Sequence, residues 1–288
     1  MIPSQFDYVA PATLSEAVAL LAQHPDEAKI LAGGHSLIPA MKLRLAMPQL
    51  LIDIGRINDL AYIREEGSQI RIGAMTTHYQ IESSDRLREI SPLLPETAAQ
   101  IGDVQVRNKG TIGGSLAHAD PAADWPAAII ALDAEIVAVG ASGERVIKAD
   151  DFFVDMLTTS LQPGEILREI RILAASGRFG QAYMKVPQPA SGFAVVGVAV
   201  SLTRSTAGAC ESASIGVTGV ASKAYRASGV ENALVGSALD EQAIAAAASH
   251  AADGVSINGD LYASEDYRRH LAQVYTRRAI EAAAARAR

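Results

Sequence analysis

Two glycine pairs constrain this 288-residue chain more than any other feature. The first lies in Leu31-Ala32-Gly33-Gly34-His35-Ser36, the second in Thr111-Ile112-Gly113-Gly114-Ser115. Each stands between an apolar stretch and a segment with helical character, beside a hydroxyl side chain. Without a Cβ, backbone N–H groups at such a turn approach a phosphate closely, and a helix N-terminus beyond it adds about 0.3–1 kcal/mol of favourable dipole interaction. Two such loops suit a ligand with two linked phosphates. Neither fits G-x-G-x-x-G or the P-loop pattern, so the expected dinucleotide fold is a different one. Read alone, each pair is an ordinary tight turn, and Ser36, Thr111 and Ser115 are caps of their own helices. The repetition favours the phosphate reading.

Length leaves room for two or three domains. Hydrophobic residues make up 49% and charged residues 20%, which suits a packed core rather than disorder. A net charge of −7 argues against broad binding to nucleic acid or anionic membranes. No uncharged apolar segment is long enough to span a membrane, and the start Met1-Ile2-Pro3-Ser4-Gln5 lacks the features of a signal peptide. Cys210 is the only cysteine. It rules out a disulfide within the chain, and an iron–sulfur cluster needs about four such ligands. The expected compartment is the cytosol, and the expected place of Cys210 is a core position beside a strand.

Periodicity and caps sketch the elements. Thr13-Leu14-Ser15-Glu16 is a capping box opening a helix that ends near His24-Pro25. Ala28–Leu31 reads as a strand running into the first glycine pair, followed by a helix capped by Ser36 and a strand over 49–54. Strands are expected at 69–74, 134–139, 145–148 and 165–173, and helices at 76–81 and 94–101. Arg107-Asn108-Lys109 reads as a basic turn. Asp120-Pro121 reads as a helix start, with Pro126 kinking or restarting a helix that runs to Leu132. Ser176–Gly180 is the best linker. Beyond it come strands at 181–186, 193–203 and 209–218, then three helices, the last from Ser264, with Ala282–Ala285 as a frayed tail.

Several side chains near these loops carry two readings. His35 is structural, solvated or turned toward a ligand. Asp120 and Asp124 cap a helix, or one of them binds a ribose hydroxyl or ring donor. The six histidines are scattered, no H-E-x-x-H occurs, and no G-x-S-x-G elbow supports a hydrolytic triad.

Ala32-Gly33-Gly34-His35-Ser36 together with Thr111-Ile112-Gly113-Gly114-Ser115 resembles the paired FAD-binding signature of the medium subunit of molybdenum hydroxylases, the xanthine dehydrogenase and carbon monoxide dehydrogenase family. Phe6-Asp7-Tyr8, Ile72–Thr77, Val104–Asn108 and Ser264–Arg269 resemble the family at their own places, so the likeness covers essentially the whole chain. It implies an α+β fold of the vanillyl-alcohol oxidase/PCMH type. Residues 1–176 would form the FAD-binding domain, with subdomains at about 1–57 and 58–176, and residues 177–288 a C-terminal α+β domain. It implies FAD contacts from Ala32, Gly33, Gly34, His35, Ser36, Ile101, Thr111, Gly113, Gly114, Ser115, Asp124, Lys185 and Phe193. On the residues alone, Lys185 is a solvated strand position or a cation stabilising a reduced, anionic flavin, and Phe193 is core or a stacking ring. The stretch Val186–Gly192 departs from the more basic one associated with carbon monoxide oxidation, which suggests an aldehyde, purine or other N-heterocycle as substrate.

The resemblance further implies an electron-transfer subunit with no catalytic side chain and no metal of its own. The [2Fe–2S] clusters would sit in a small partner subunit and the molybdopterin cofactor in a large one, assembled as a dimer of heterotrimers that reduces an external acceptor. Two other expectations compete. One is a self-sufficient FAD-dependent oxidoreductase. The other is a non-redox nucleotide-binding assembly subunit.

Overall fold

A computed structural model describes residues 1–287. Among the described residues three larger sheets follow one another along the chain, each with its own apolar core, beside one small two-stranded sheet. The first holds β1 (Asp7–Val9), β2 (Ala28–Leu31) and β3 (Leu50–Asp53), all parallel in the order β1-β3-β2. Parallel neighbours need crossovers. Helix α1 (Leu14–Gln23) precedes β2, and α2 (Leu37–Lys42) links β2 to β3. The Thr13 hydroxyl accepts from the Glu16 N–H at 3.2 Å, while the Glu16 carboxylate caps Ala12 rather than Thr13 itself. Ala17, Val18 and Leu21 bury one face of α1 against Ile52 and Ile54.

The second sheet is antiparallel, in the order β4-β5-β10-β6-β7. Its strands are β4 (Ile63–Glu66), β5 (Gln69–Gly73), β6 (Glu135–Gly140), β7 (Gly143–Lys148) and β10 (Ile166–Leu173). Between β5 and β6 run six short helices: α3 (His78–Glu82), α4 (Asp85–Ile90), α5 (Leu93–Ala99), α6 (Val104–Lys109), α7 (Ile112–His118) and α8 (Trp125–Ala131). Helix α9 (Ala149–Phe152) and the small hairpin β8 (Phe153–Asp155) and β9 (Thr158–Thr159) complete this part. Ile70, Ile72, Leu94, Trp125 and Ile129 are buried together, each apolar side chain contributing roughly 1.5–3 kcal/mol.

The third sheet is an antiparallel meander of β11 (Phe179–Pro187), β12 (Ala194–Arg204), β13 (Cys210–Thr218) and β14 (Tyr225–Arg226). Helices α10 (Ser228–Leu234), α11 (Glu241–Ala248) and α12 (Glu265–Arg286) complete it. Cys210 is a buried core residue at the start of β13. No described helix is long and apolar enough to cross a membrane.

Four local expectations are corrected. Arg107-Asn108-Lys109 is the last turn of α6, whose Asp103 cap accepts from Val106 N–H at 2.8 Å. No helix starts at Asp120-Pro121. Ala119 ends α7 in the left-handed conformation, Asp120 Oδ1 accepts from Ala122 N–H at 2.9 Å, and α8 begins only at Trp125, with Pro126 in its first turn. Strand β12 starts one residue after Phe193. The alanine-rich tail is not frayed: α12 runs to Arg286, and Ala279, Ile280 and Ala283 are fully buried. Alanine there lets the helix backbone lie close against β11 at Gly180, where any larger residue would strike Ala283.

Candidate cofactor site

A cleft of about 570 Å3 opens where loops from all three parts converge, within the roughly 300–1,000 Å3 usual for small-molecule sites. One wall is the end of β2, the first glycine loop and the start of α2. The other is Ala74, His78 and the loop from Gly110 into α7. Ile30, Ile54, Ile166 and Leu167 are among its apolar lining residues, and Ser191, Gly192 and Phe193 line it from the third part.

The two glycine loops meet. A Cβ on Gly33 would strike the Lys109 carbonyl and lie 2.8 Å from Gly110 Cα. A Cβ on Gly114 would lie 3.3 Å from Ala32 Cβ. Gly34 has φ +78°, a left-handed turn that aims the chain into α2.

The first loop is rich in free donors. Among the described residues, the backbone N–H groups of Gly33, Gly34, His35 and Ser36 have no protein partner. Ser36 occupies the cap position of α2 yet makes no cap bond, so its hydroxyl is also free. His35 is exposed at the cleft. Consecutive unpaired N–H groups in a concave turn form an anion-binding nest.

The second loop is already bonded. Ile112 N–H donates to Thr76 O at 3.1 Å, Gly113 N–H to Ala74 O at 2.9 Å and Ser115 N–H to Thr111 O at 3.0 Å. Gly114 N–H donates to Thr111 Oγ1 at 3.2 Å, so Thr111 does cap α7. The pair therefore lies inside the first turn of α7 rather than ahead of it. Gly110, Thr111, Gly113, Gly114 and Ser115 of this loop line the cleft.

Asp124 lines the cleft from the cap position of α8 without capping it. Its carboxylate accepts from Tyr183 O–H at 2.6 Å and from Lys185 Nζ at 2.9 Å. Burial raises the Asp124 carboxyl above its ordinary range, against the pull of Lys185 and Tyr183. Burial and the neighbouring carboxylate also push the Tyr183 phenol well up. Lys185 is not a solvated strand position: its ammonium is buried behind Asp124 and also donates to Gln100 O at 2.9 Å. It does not line the cleft. Of the thirteen expected contact residues, the other twelve do, including Ile101, half-buried, and Phe193, 42% exposed at the mouth.

The third sheet sets the turn that carries Asp124. Ala194 N–H donates to Ala122 O at 3.0 Å and Gly219 N–H to Pro121 O at 2.8 Å. Thr218 Oγ1 lies 2.8 Å from the carbonyls of both Pro121 and Ala123. Asp120 stays outside the cleft lining.

Among the cleft residues that the sequence reading did not single out is His78. His78 is the first residue of α3, behind a capping box between Thr77 and Gln80. It is 4% exposed yet lines the cleft. The fully buried Trp125 donates from Nε1 to His78 Nδ1 at 3.0 Å. Burial, with His35 and Arg107 nearby, holds the His78 imidazole down at about 4. The cap marks where α3 starts, but nothing local announces a partner 47 positions away. Among the described residues no cluster of His, Cys, Asp and Glu is arranged to hold a metal ion.

Residues 4–172 match the family described as FAD binding domain in molybdopterin dehydrogenase, and residues 181–283 match the CO dehydrogenase flavoprotein C-terminal domain. The carbon monoxide dehydrogenase medium chain of Hydrogenophaga pseudoflava is 44% identical over 286 residues, 99% of each chain. A chain of the cyanide-inactivated Cu,Mo-CO dehydrogenase crystal structure is 42% identical and superposes with a TM-score of 0.97 over 100% of both chains. A chain of quinoline 2-oxidoreductase from Pseudomonas putida 86 is 34% identical and superposes at 0.92 over 99% of both. These likenesses carry the α+β class and the order of an FAD-binding domain followed by a C-terminal domain.

Proposed function

The chain belongs to the FAD-binding flavoprotein subunits of molybdopterin dehydrogenases, and on that premise we propose that it is the electron-transfer subunit of a three-part molybdenum hydroxylase. Residues 1–176 form the FAD-binding unit and residues 177–288 the C-terminal unit in this reading. A small subunit supplies [2Fe–2S] clusters and a large one the molybdopterin cofactor, in a cytoplasmic dimer of heterotrimers. One observation carries the reading: four consecutive unpartnered N–H groups face a cleft whose opposite wall is the second glycine loop.

The residues present fit FAD. The N–H groups of Gly33 to Ser36 and the Ser36 hydroxyl hold one part of the pyrophosphate, and Ser115 holds the other. Ile30, Ile54, Ile166 and Leu167 enclose an apolar ring end. Ile101 packs beside the ligand and Phe193 covers it at the mouth. Asp124 accepts a ribose hydroxyl or ring donor, with Lys185 and Tyr183 keeping its carboxylate in place. Lys185 and Asp124 form a pair of balanced charge, so the carboxylate meets the ligand with its charge largely compensated.

When bound, FAD supplies a centre that takes electrons singly and delivers them in pairs. The chain's own task is to bind it, orient it and keep water from its buried parts. No side chain acts as acid or base on the organic substrate. The fold does not choose that substrate either, since chains of a carbon monoxide dehydrogenase and a quinoline oxidoreductase superpose on this one at 0.97 and 0.92.

The test is purification of the complex from its native host, followed by the visible spectrum. Flavin bands that bleach on substrate addition only when the iron–sulfur subunit is present support the proposal. Flavin on a lone chain that turns over an organic donor overturns it in favour of an independent oxidoreductase. A chain that takes up nucleotide but no flavin points to an assembly subunit.

A further inference from the structure

Trp125 leaves His78 no choice of tautomer. An indole N–H only donates, so the His78 Nδ1 it reaches at 3.0 Å carries the lone pair, and the ring proton sits on Nε2. That edge of the ring lies against Gly110, where an added Cβ would come within 2.6 Å of Nε2. Gly110 lines the cleft and touches Gly33 of the first loop, so the His78 edge stands where the two glycine loops meet. Among the described residues no protein atom accepts from Nε2. His78 is 4% exposed and lines the cleft, so Nε2 is the ring nitrogen left to meet a ligand there.

We propose that His78 donates from Nε2 to a phosphate oxygen of the bound dinucleotide, with Trp125 as the positioning residue that fixes the proton on that nitrogen. The inference rests on the reading of the cleft as an FAD site. His78 holds one orientation and one proton throughout, because its imidazole stays neutral down to about pH 4. Arg107 on α6 and His35 on the first loop lie around it, and both oppose its protonation. It is a binding group rather than a proton carrier.

The test uses the full chain co-expressed with its partner subunits. FAD is stripped, and its rebinding is followed by flavin fluorescence. His78→Phe is expected to weaken FAD about 10- to 100-fold, the usual effect of losing a hydrogen bond to a charged group. His78→Gln, which keeps an N–H donor, is expected to recover part of that loss. Trp125→Phe is expected to weaken FAD less than His78→Phe. Nitrogen-15 spectra of the histidine-labelled wild-type chain give a readout independent of any variant. They are expected to show the proton on Nε2, and its resonance moving when FAD binds. His78→Phe and His78→Gln that fold and bind FAD as the wild type does would overturn the inference, as would a proton found on Nδ1. A wild-type complex that never takes up FAD overturns the reading of the cleft itself.

Discussion

The first glycine loop leaves the N–H groups of Gly33, Gly34, His35 and Ser36 without a protein partner, whereas the second engages those of Ile112, Gly113, Gly114 and Ser115 internally. Both are Gly-Gly steps beside hydroxyls. An anion site requires unpaired donors, and glycine is only one way to expose them. In the first loop glycine leaves backbone donors unpaired at the cleft. In the second it lets a helix start press against Ala74, with a Cβ on Gly113 only 2.5 Å from that of Ala74. The two loops therefore differ in which property a substitution disturbs.

Gly33→Val is the strongest way to separate them. It drives a side chain into the Lys109–Gly110 backbone and forces the loops apart. Overpacking of up to about 3 kcal/mol at this contact translates into about 100-fold weaker FAD, read as the dissociation constant of the stripped complex. Unchanged affinity would remove the first loop from the site.

Acid tests what lies behind the second loop. The unfolded chain protonates His78 near its ordinary 6.5, the folded chain only at about 4. Between those values the unfolded state holds more protons, so this contribution to stability is complete above 6.5 and fades as the pH falls. The gap corresponds to about 3 kcal/mol. Denaturant melts of wild type and His78→Gln from pH 7 to pH 4 are expected to diverge by that order, with the wild type showing the steeper loss.

Gly113→Ala comes next. It is expected to lower stability by about 2 kcal/mol through contact with Ala74, while molecules that remain folded keep most of their FAD affinity. A large affinity loss at unchanged melting temperature would erase the distinction between the loops. The mildest pair is Thr111→Ala against Ser36→Ala. Thr111 makes its cap bond and Ser36 does not. Thermal melts are expected to register about 1 kcal/mol for the first and no resolvable change for the second.

The sequence made the glycine loops legible because glycine marks backbone geometry in the residue itself. The same holds for α1, announced by Thr13, and for β12, announced by a continuous apolar run. Helix α4 and strands β4, β8 and β9 left too short a pattern to read. At Asp120-Pro121 the local helix signal lost to bonds from Ala194, Thr218 and Gly219, groups roughly 70 to 100 residues later in the chain. The alanine tail read as frayed because small side chains carry a weak hydrophobic signal, although they suit close packing against Gly180. Lys185 was legible as an interruption of an apolar strand, but its partner Asp124 lies 61 positions away. Pairings of this kind, Trp125 with His78 among them, are a property of the assembled fold.

The grip of β12 and β13 on the turn before Asp124 also sets an order of biogenesis. A growing chain folds from its N-terminal end. Both glycine loops leave the ribosome early, while Tyr183, Lys185, Ala194 and Thr218 emerge only afterwards. The unpaired N–H groups of the first loop are therefore made before the turn that carries Asp124 has its supports. A nascent chain stopped near Gly177 would hold both glycine loops without Tyr183, Lys185, Ala194 and Thr218, the groups that fix Asp124 and its turn.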